Sequence, residues 1–380
     1  MRVVYLRSNP VNPDSRVEKE VNSLIKFGHE VVVLGWDRAN DYDWKKEILT
    51  LPNGEVDIYR IGIKATFGGG MKNLKALYAY EKTIYKWLKT NSGLYDCIHA
   101  ADLDTGYVAQ RISKNLKKKY VYDIYDYYPA AHHFPSVFQK MVVKAEKQTI
   151  NNAEFTILCT DQRLEQIKGS NPKKIIIIHN SPSRDILLKA EGSFQIASAP
   201  NHTIKIGYVG ILSRARLLEE IVTVVSKNKD FEFHVGGFGQ LESYFLEVSQ
   251  KYDNIYFYGK LKYGQTLQLE QQVDVLTSIY DPAVPNHKYA APNKFYESLM
   301  LGKPVIMVHN TGVDNIVDKY NLGATIDFSK EGFENALIKL RSEKESWNEI
   351  AKRENELFDS QLSWDIMEKR LAEGYSSINL

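Results

Sequence analysis

Short apolar runs alternate with segments of helical period along this chain, and the alternation runs twice with one break between. Val3-Val4-Tyr5-Leu6 reads as a buried strand. Arg16 to Phe27 carries Val17, Val21, Leu24 and Ile25 at helical spacing, Gly28 stops it, and Val31-Val32-Val33-Leu34 begins the next strand. Strand, loop, helix, strand with continuously apolar strands is the opening of a parallel sheet. Further strands are expected at Tyr95–His99, Tyr120–Ile124, Phe155–Leu158 and Ile175–Ile178. Asn180 to Pro200, rich in Ser, Pro, Gly and Ala, reads as a linker. The rhythm restarts at Ile204–Gly210 and continues through Phe231–Val235, Ile255–Tyr258, Val273–Ile279, Val305–Val308 and Ala324–Ile326 before a helical C-terminal stretch. The expected class is α/β, with two Rossmann-like doubly wound domains facing a cleft. The first covers residues 1–183, a linker 184–202, the second 203–360, and a C-terminal helix at 361–380 packs back on the N-terminal domain. Ligands of such sheets sit at the carboxyl ends of the strands.

The chain has 380 residues, room for two such domains. No apolar run approaches the ~18–20 residues of a membrane span, and Met1 to Asn9 lacks the apolar stretch of a signal peptide. Cys97 and Cys159 lack metal-site spacing, so a cytoplasmic setting without disulfides is expected. Net charge is +2, yet residues 1–183 hold 27 basic against 20 acidic side chains (+7), and the remainder 22 against 27 (−5).

Lys72 to Lys89 explains part of that division. As a helix it presents Leu74, Leu77, Tyr78, Ile84, Tyr85 and Leu88 as a buried stripe. Lys72, Lys75, Lys82, Lys86 and Lys89 then form an exposed basic one, with Tyr80 and Trp87 beside it. Such a stripe suits an anionic membrane surface or is a solvated face. No nucleic-acid-binding module is visible, so nucleic acid is not expected as a partner.

In the second half, Gly210-Ile211-Leu212-Ser213-Arg214-Ala215-Arg216 lies where a strand turns into a helix, a place whose backbone N–H groups favour an anion; two arginines add donors for phosphate. A second turn, Gly236-Gly237-Phe238-Gly239, permits close backbone approach to a ligand. In the segment Ala291 to Ile306, Pro292 opens a helix that ends near Gly302. Lys294 and Glu297, three residues apart, share one face. A carboxylate there can accept hydrogen bonds from both ribose hydroxyls while the lysine reaches phosphate; the alternative is an intrahelical ion pair.

Glu297, Gly302, Pro304 and the following strand resemble the "E-A-M-A-x-G-x-P-V-I" element of family 4 glycosyltransferases with the GT-B fold. Gly210 to Arg216 resembles that family's "G-R-L-x-x-x-K-G" loop, Gly236 to Gly239 its "G-x-G" turn, and His179-Asn180 its "H-N-G" junction. The resemblance implies a nucleotide-sugar donor bound by the C-terminal domain. Glu297 would hold the ribose, with Gly210, Arg214 and Arg216 at the diphosphate and Gly237, Asn293 and Lys294 beside them. Backbone at Lys260-Leu261 would meet the base. It also implies transfer with retention and without a metal or other cofactor. Three positions depart from the pattern: Ile211 stands for the loop Arg, Arg216 for the loop Lys, and Tyr289 for the first carboxylate of the E-x7-E pair. Lys294 is the replacement contact.

In the first half, Asp96 to Asp102 resembles the family's "D-V-I-H-A-H-D" strand end, and Val121 to Asp126 its "V-Y-D-x-H-D/E". The His of the latter, which sits beside the transferred sugar in relatives, is Tyr125 here. Tyr125, Asp126 and His99 are the candidate catalytic residues, and His132 and His133 stand with Arg16 as acceptor or cleft residues. Each His is alternatively a hydrogen-bonded structural residue, Asp126 a cap, and the Ser8 to Arg16 segment a polar turn. The expected activity is a hexosyltransferase-type transfer from a nucleotide sugar, UDP-linked before GDP-linked, to a glycan or lipid-linked glycan acceptor. The setting is bacterial-type surface polysaccharide synthesis at the inner membrane face. A catalytically inactive nucleotide-sugar-binding partner of another transferase is the alternative.

Overall fold

The computed structural model describes residues 1–66, 69–132, 134–185, 194–197 and 203–379. It divides into two compact units, Met1–His179 with Met367–Leu380, and Asn180–Ile366. The linker expected at 184–202 lies mostly outside the described residues.

The first unit is built on an eight-stranded sheet of β1 (Arg2–Leu6), β2 (Glu30–Asp37), β3 (Tyr42–Leu51), β4 (Gly54–Gly62), β5 (Cys97–Ala101), β6 (Lys119–Ile124), β7 (Thr156–Leu158) and β8 (Ile175–Ile177). The order is β3-β4-β2-β1-β5-β6-β7-β8, parallel except for the β3–β4 hairpin. The hairpin is absent from the sequence-based expectation. β3 pairs along one edge only and exposes Asp43, Lys45, Lys46, Ile48 and Thr50, so it has no long buried apolar run to announce it. Between β1 and β5 the chain order reverses direction across the sheet, and Tyr5 lies opposite His99 there. The C-terminal residues complete this unit: the Tyr375 hydroxyl meets His99 Nδ1 at 2.8 Å, and Ser23 Oγ donates to Glu368 at 2.9 Å.

The helix Leu74–Thr90 buries Tyr80, Ile84 and Leu88, whereas Leu74 is 45% and Tyr78 67% exposed. This corrects the expected stripe in two respects. Tyr80 is core, stacked on Trp36 at 4.7 Å and donating its hydroxyl to the Arg7 carbonyl at 2.9 Å. The helix follows a 3-10 turn, Gly70–Asn73, and its first turn keeps Leu74 and Tyr78 at the surface. Lys72, Lys75, Lys82, Lys86 and Lys89 are exposed. No helix among the described residues is long and apolar enough to cross a membrane.

The second unit has a six-stranded parallel sheet of β9 (Ile204–Leu212), β10 (Phe231–Gly239), β11 (Ile255–Phe257), β12 (Val275–Ser278), β13 (Val305–Val308) and β14 (Gly323–Ile326). Its order, β11-β10-β9-β12-β13-β14, is the doubly wound arrangement 3-2-1-4-5-6. The switch point therefore lies at the carboxyl ends of β9 and β12. Ile206, Phe233, Val235, Val275 and Ile306 supply the sheet's side of the core. Gly237 pairs with Gly210 in the β9–β10 ladder. At its φ of 144°, a Cβ would lie 1.9 Å from the Gly210 carbonyl oxygen, so only glycine fits there.

Candidate functional site

In the second unit, the helix Asn293–Leu301 begins after Pro292 and ends at Gly302, whose φ of 66° gives a left-handed stop. Lys294 and Glu297 leave its first turns. The Lys294 ammonium lies 5.3 Å from the Tyr208 ring centre, and a Cβ at Gly210 would stand 3.1 Å from its Nζ. Burial draws the Lys294 pKa down, but Tyr208 and the carboxyl groups of Glu297 and Glu270 outweigh it and raise it, so the cation persists.

Glu297 is 2% exposed and takes a hydrogen bond from Tyr263. Behind it Glu270 is fully buried, its carboxyl group close against that of Glu297. Burial first, and then the charge of Glu297, pushes Glu270 well above the carboxylate range.

The loop arginines separate. Arg216 stacks on Tyr280, its guanidinium carbon 3.6 Å from the ring centre, and its Nη1 meets His287 Nε2 at 3.3 Å. His287 Nδ1 faces the Asp281 carbonyl at 2.8 Å, which assigns the proton to Nδ1 and leaves Nε2 to accept. Arg216 and Lys294 both act on Tyr208, so these three side chains cluster beside Gly210. Arg214 has an 80% exposed side chain, 3.5 Å from Glu219.

Gly237 N donates to the Gly259 carbonyl at 2.7 Å. Lys260 is exposed with its ammonium 5.0 Å from the Phe238 ring centre, and Leu261 packs over Gly236. Asn293 Oδ1 accepts from Asn180 at 2.9 Å. Tyr208, Tyr263, Glu270 and His287 went unnoticed in the sequence. Tyr208, two residues before Gly210 on the same face of β9, was the one with a usable signal.

In the first unit the predicted residues have different surroundings. Arg16 is 5% exposed, with Nε 2.9 Å from Glu20 and Nη2 2.5 Å from Asp123. Its guanidinium and that of Arg7 lie 4.1 and 4.0 Å from the Tyr125 ring centre. The Tyr125 hydroxyl is 2.8 Å from that of Tyr5, which donates to Glu20 at 2.7 Å. Burial, with Glu20 and Asp14 nearby, raises the Tyr125 pKa well above 10, so it stays a neutral phenol. His99 is fully buried, stacked on Tyr5 at 4.2 Å.

Glu20, His99 and Asp123 each bring a ligand atom within 4.8 Å of the others, a spacing that suits a metal ion; Arg16 already supplies positive charge to both carboxylates. Asp126 is exposed and ion-paired to Arg163 at 3.1 Å. His132 is exposed and stacks on Tyr128 at 4.1 Å. His133 lies outside the described residues.

Beside these residues the first unit holds a cavity of about 750 Å³ at the carboxyl ends of β1, β5 and β6. Arg7, Arg38, Glu81, Asp102, Asp104 and Asp126 line it, with Trp36, Tyr128 and Phe134 as aromatic wall. Burial pushes Asp102 up to about 6 despite Arg7, its partner at 2.6 Å. Burial and then Asp104 push Glu81 up to about 7, against a lowering by Arg111. Glu81 stands among the lysines of the helix Leu74–Thr90 and carries no local sequence signal of its own.

No family model matches this sequence. No curated protein matches it either. Solved structures do. Sucrose-phosphate synthase from Thermosynechococcus elongatus has a TM-score of 0.74 at 15% identity, over 99% of this chain and 98% of that one. The E. coli trehalose-6-phosphate structure bound with UDP-2-fluoro glucose has 0.74 at 11%, over all of both chains. The Anabaena protein HepE in complex with UDP-glucose has 0.68 at 13%, again over all of both chains. At these identities the likeness is one of fold, and the chain is built as two Rossmann-like α/β domains of the GT-B type.

Proposed function

We propose that this chain is a glycosyltransferase whose second unit binds a nucleotide-sugar donor and whose first unit receives the acceptor. The observation that carries the reading is the group at the β9/β12 switch point. Lys294 and Arg216 converge on Tyr208 beside Gly210, and Glu297 stands one helical turn from Lys294. Two cations and a strand-end glycine suit a diphosphate, and a fixed carboxylate suits the two ribose hydroxyls. Similar structures bound with UDP-glucose and UDP-2-fluoro glucose support the same assignment and favour UDP over GDP.

Fixed cations stabilise the charge that develops on the departing diphosphate, which supports transfer without a metal. Retention of configuration and membership of family 4 rest on the Glu297 element. The acceptor is a glycan or lipid-linked glycan of a surface polysaccharide, met at the inner membrane face. The exposed lysines from Lys72 to Lys89, with Leu74 and Tyr78 among them, support peripheral membrane contact.

The test is hydrolysis or transfer across a panel of UDP-, GDP- and ADP-sugars, with Glu297→Ala as control. Activity with a UDP-sugar that the substitution abolishes is the expected result; unchanged activity in the variant removes the ribose assignment. A second reading, a nucleotide-sugar-binding partner without turnover, is favoured by the Tyr125 hydroxyl, which is spent on Tyr5. Tight UDP binding with no transfer to any lipid-linked acceptor selects it.

A further inference from the structure

Acidic side chains outnumber basic ones in the wall of the first-unit cavity, where Glu81, Asp102, Asp104 and Asp126 face Arg7 and Arg38. Asp102 is paired with Arg7 and Asp126 with Arg163. Glu81 makes no hydrogen bond or ion pair among the described residues, and Arg111 acts on it only through its field. Asp104 is 7% exposed; its Oδ1 accepts from the Thr105 N–H at 3.1 Å, and its Oδ2 has no partner among the described residues. Glu81 and Asp104 thus stand at the wall of one cavity without an ion-pair partner among the described residues, and Arg38 lines the same wall. An uncompensated buried carboxylate is costly, and a ligand that supplies positive charge relieves that cost.

The geometry narrows the kind of cation. Three-residue convergence of metal-ligand atoms occurs, among the described residues, at Glu20, His99 and Asp123 and not in this cavity. A compact divalent ion is therefore poorly served here, whereas an ammonium group takes hydrogen bonds from separate carboxylates. A diphosphate is disfavoured by the same excess of negative charge. Tyr128 stacks with His132 and Phe134 at 4.1 and 6.2 Å, giving a flat apolar face for the C–H side of a sugar ring. Across the cavity Arg38 stacks on Trp36 at 4.2 Å with its Nε buried and unpartnered, a donor for a ligand oxygen.

We propose that this cavity binds a sugar bearing a free amino group, its ammonium taken by Glu81 and Asp104 and its ring laid on Tyr128. This deepens the acceptor side of the proposed function and rests on that reading for its role in transfer, though not for the binding itself.

The experiment is an NMR titration of the full chain at pH 7 with D-glucosamine, N-acetyl-D-glucosamine and D-glucose, and with UDP on the same samples. Glucosamine is expected to bind about tenfold more tightly than the other two, the scale of one charge-assisted contact. Glu81→Gln and Asp104→Asn, which keep the side-chain shape, are each expected to shrink that preference to under about threefold, with melting temperature as the check on folding. Equal binding of the three sugars, no binding of any, or a preference that survives both substitutions together overturns the proposal. Loss of UDP binding with the amino-sugar preference intact overturns the donor assignment instead.

Discussion

Arg16 reaches from the helix Ser15–Lys26 to β6, where its Nη2 stands 2.5 Å from Asp123 Oδ1 with both side chains buried. Its other arm holds Glu20, so one guanidinium neutralises two carboxylates and stacks on Tyr125. Arg16→Met leaves both carboxylates buried without a counter-ion and is expected to cost about 3–5 kcal/mol in urea unfolding. Adding Asp123→Leu to that variant is expected to recover part of the loss. A single variant within about 0.5 kcal/mol of wild type contradicts the pairing.

The crossing of Gly237 over Gly210 is a backbone-on-backbone approach that no side chain can yield to. Gly237→Ala places a carbon 1.9 Å from a carbonyl oxygen, and the expected loss is about 3 kcal/mol or more, read as a large fall in melting temperature. Gly28→Ala, with φ 79° and open space around it, is expected to cost about 1 kcal/mol. Similar effects from the two refute the steric account.

Lys294→Met separates phosphate binding from nucleoside binding. The cation faces Gly210 and Tyr208, so UDP affinity is expected to fall roughly 10–100-fold, the scale of a charged hydrogen bond. Uridine affinity is expected to stay within about twofold. Isothermal titration with both ligands measures this, and an equal loss for the two removes Lys294 from the diphosphate.

Glu81 predicts a pH signature. Its folded value of about 7 lies above the ordinary 4.5, so between these values the folded chain holds a proton that the unfolded chain has released. The Glu81 contribution therefore weakens as pH rises through that window. Relative to wild type, Glu81→Gln is expected to be neutral near pH 4.5 and to gain about 1–2 kcal/mol by pH 8, a figure reduced for partial solvent screening. A gain of the same size at both pH values speaks against this origin.

Legibility in the sequence followed burial and chain proximity. The parallel strands were readable because strands covered on both faces become continuous apolar runs such as Val31-Val32-Val33-Leu34. β3, which alternates exposed and partly covered residues along most of its length, was not. Lys294 and Glu297 were readable as a pair because one helix carries both, three residues apart. Tyr263 and Glu270, which back Glu297, come from another helix and gave no local pattern. The pairing of Arg16 with Asp123 was equally hidden, since Asp123 lies 107 residues away. The cavity is assembled from the ends of several strands and from residues of four helices, and no window of the sequence contains it.

The return of Met367–Leu380 to the first unit gives the molecule an order of assembly. Asn180–Ile366 is continuous in sequence, so all of its residues have been made before Met367 is added. The first unit, although synthesised earlier, lacks Tyr375 for His99 and the Glu368 carboxylate for Ser23 and Lys26 until residues 367–379 have been made. Truncation before residue 367 therefore harms the half of the protein made first, and a fragment ending at residue 179 opens His99 and Phe155 to water.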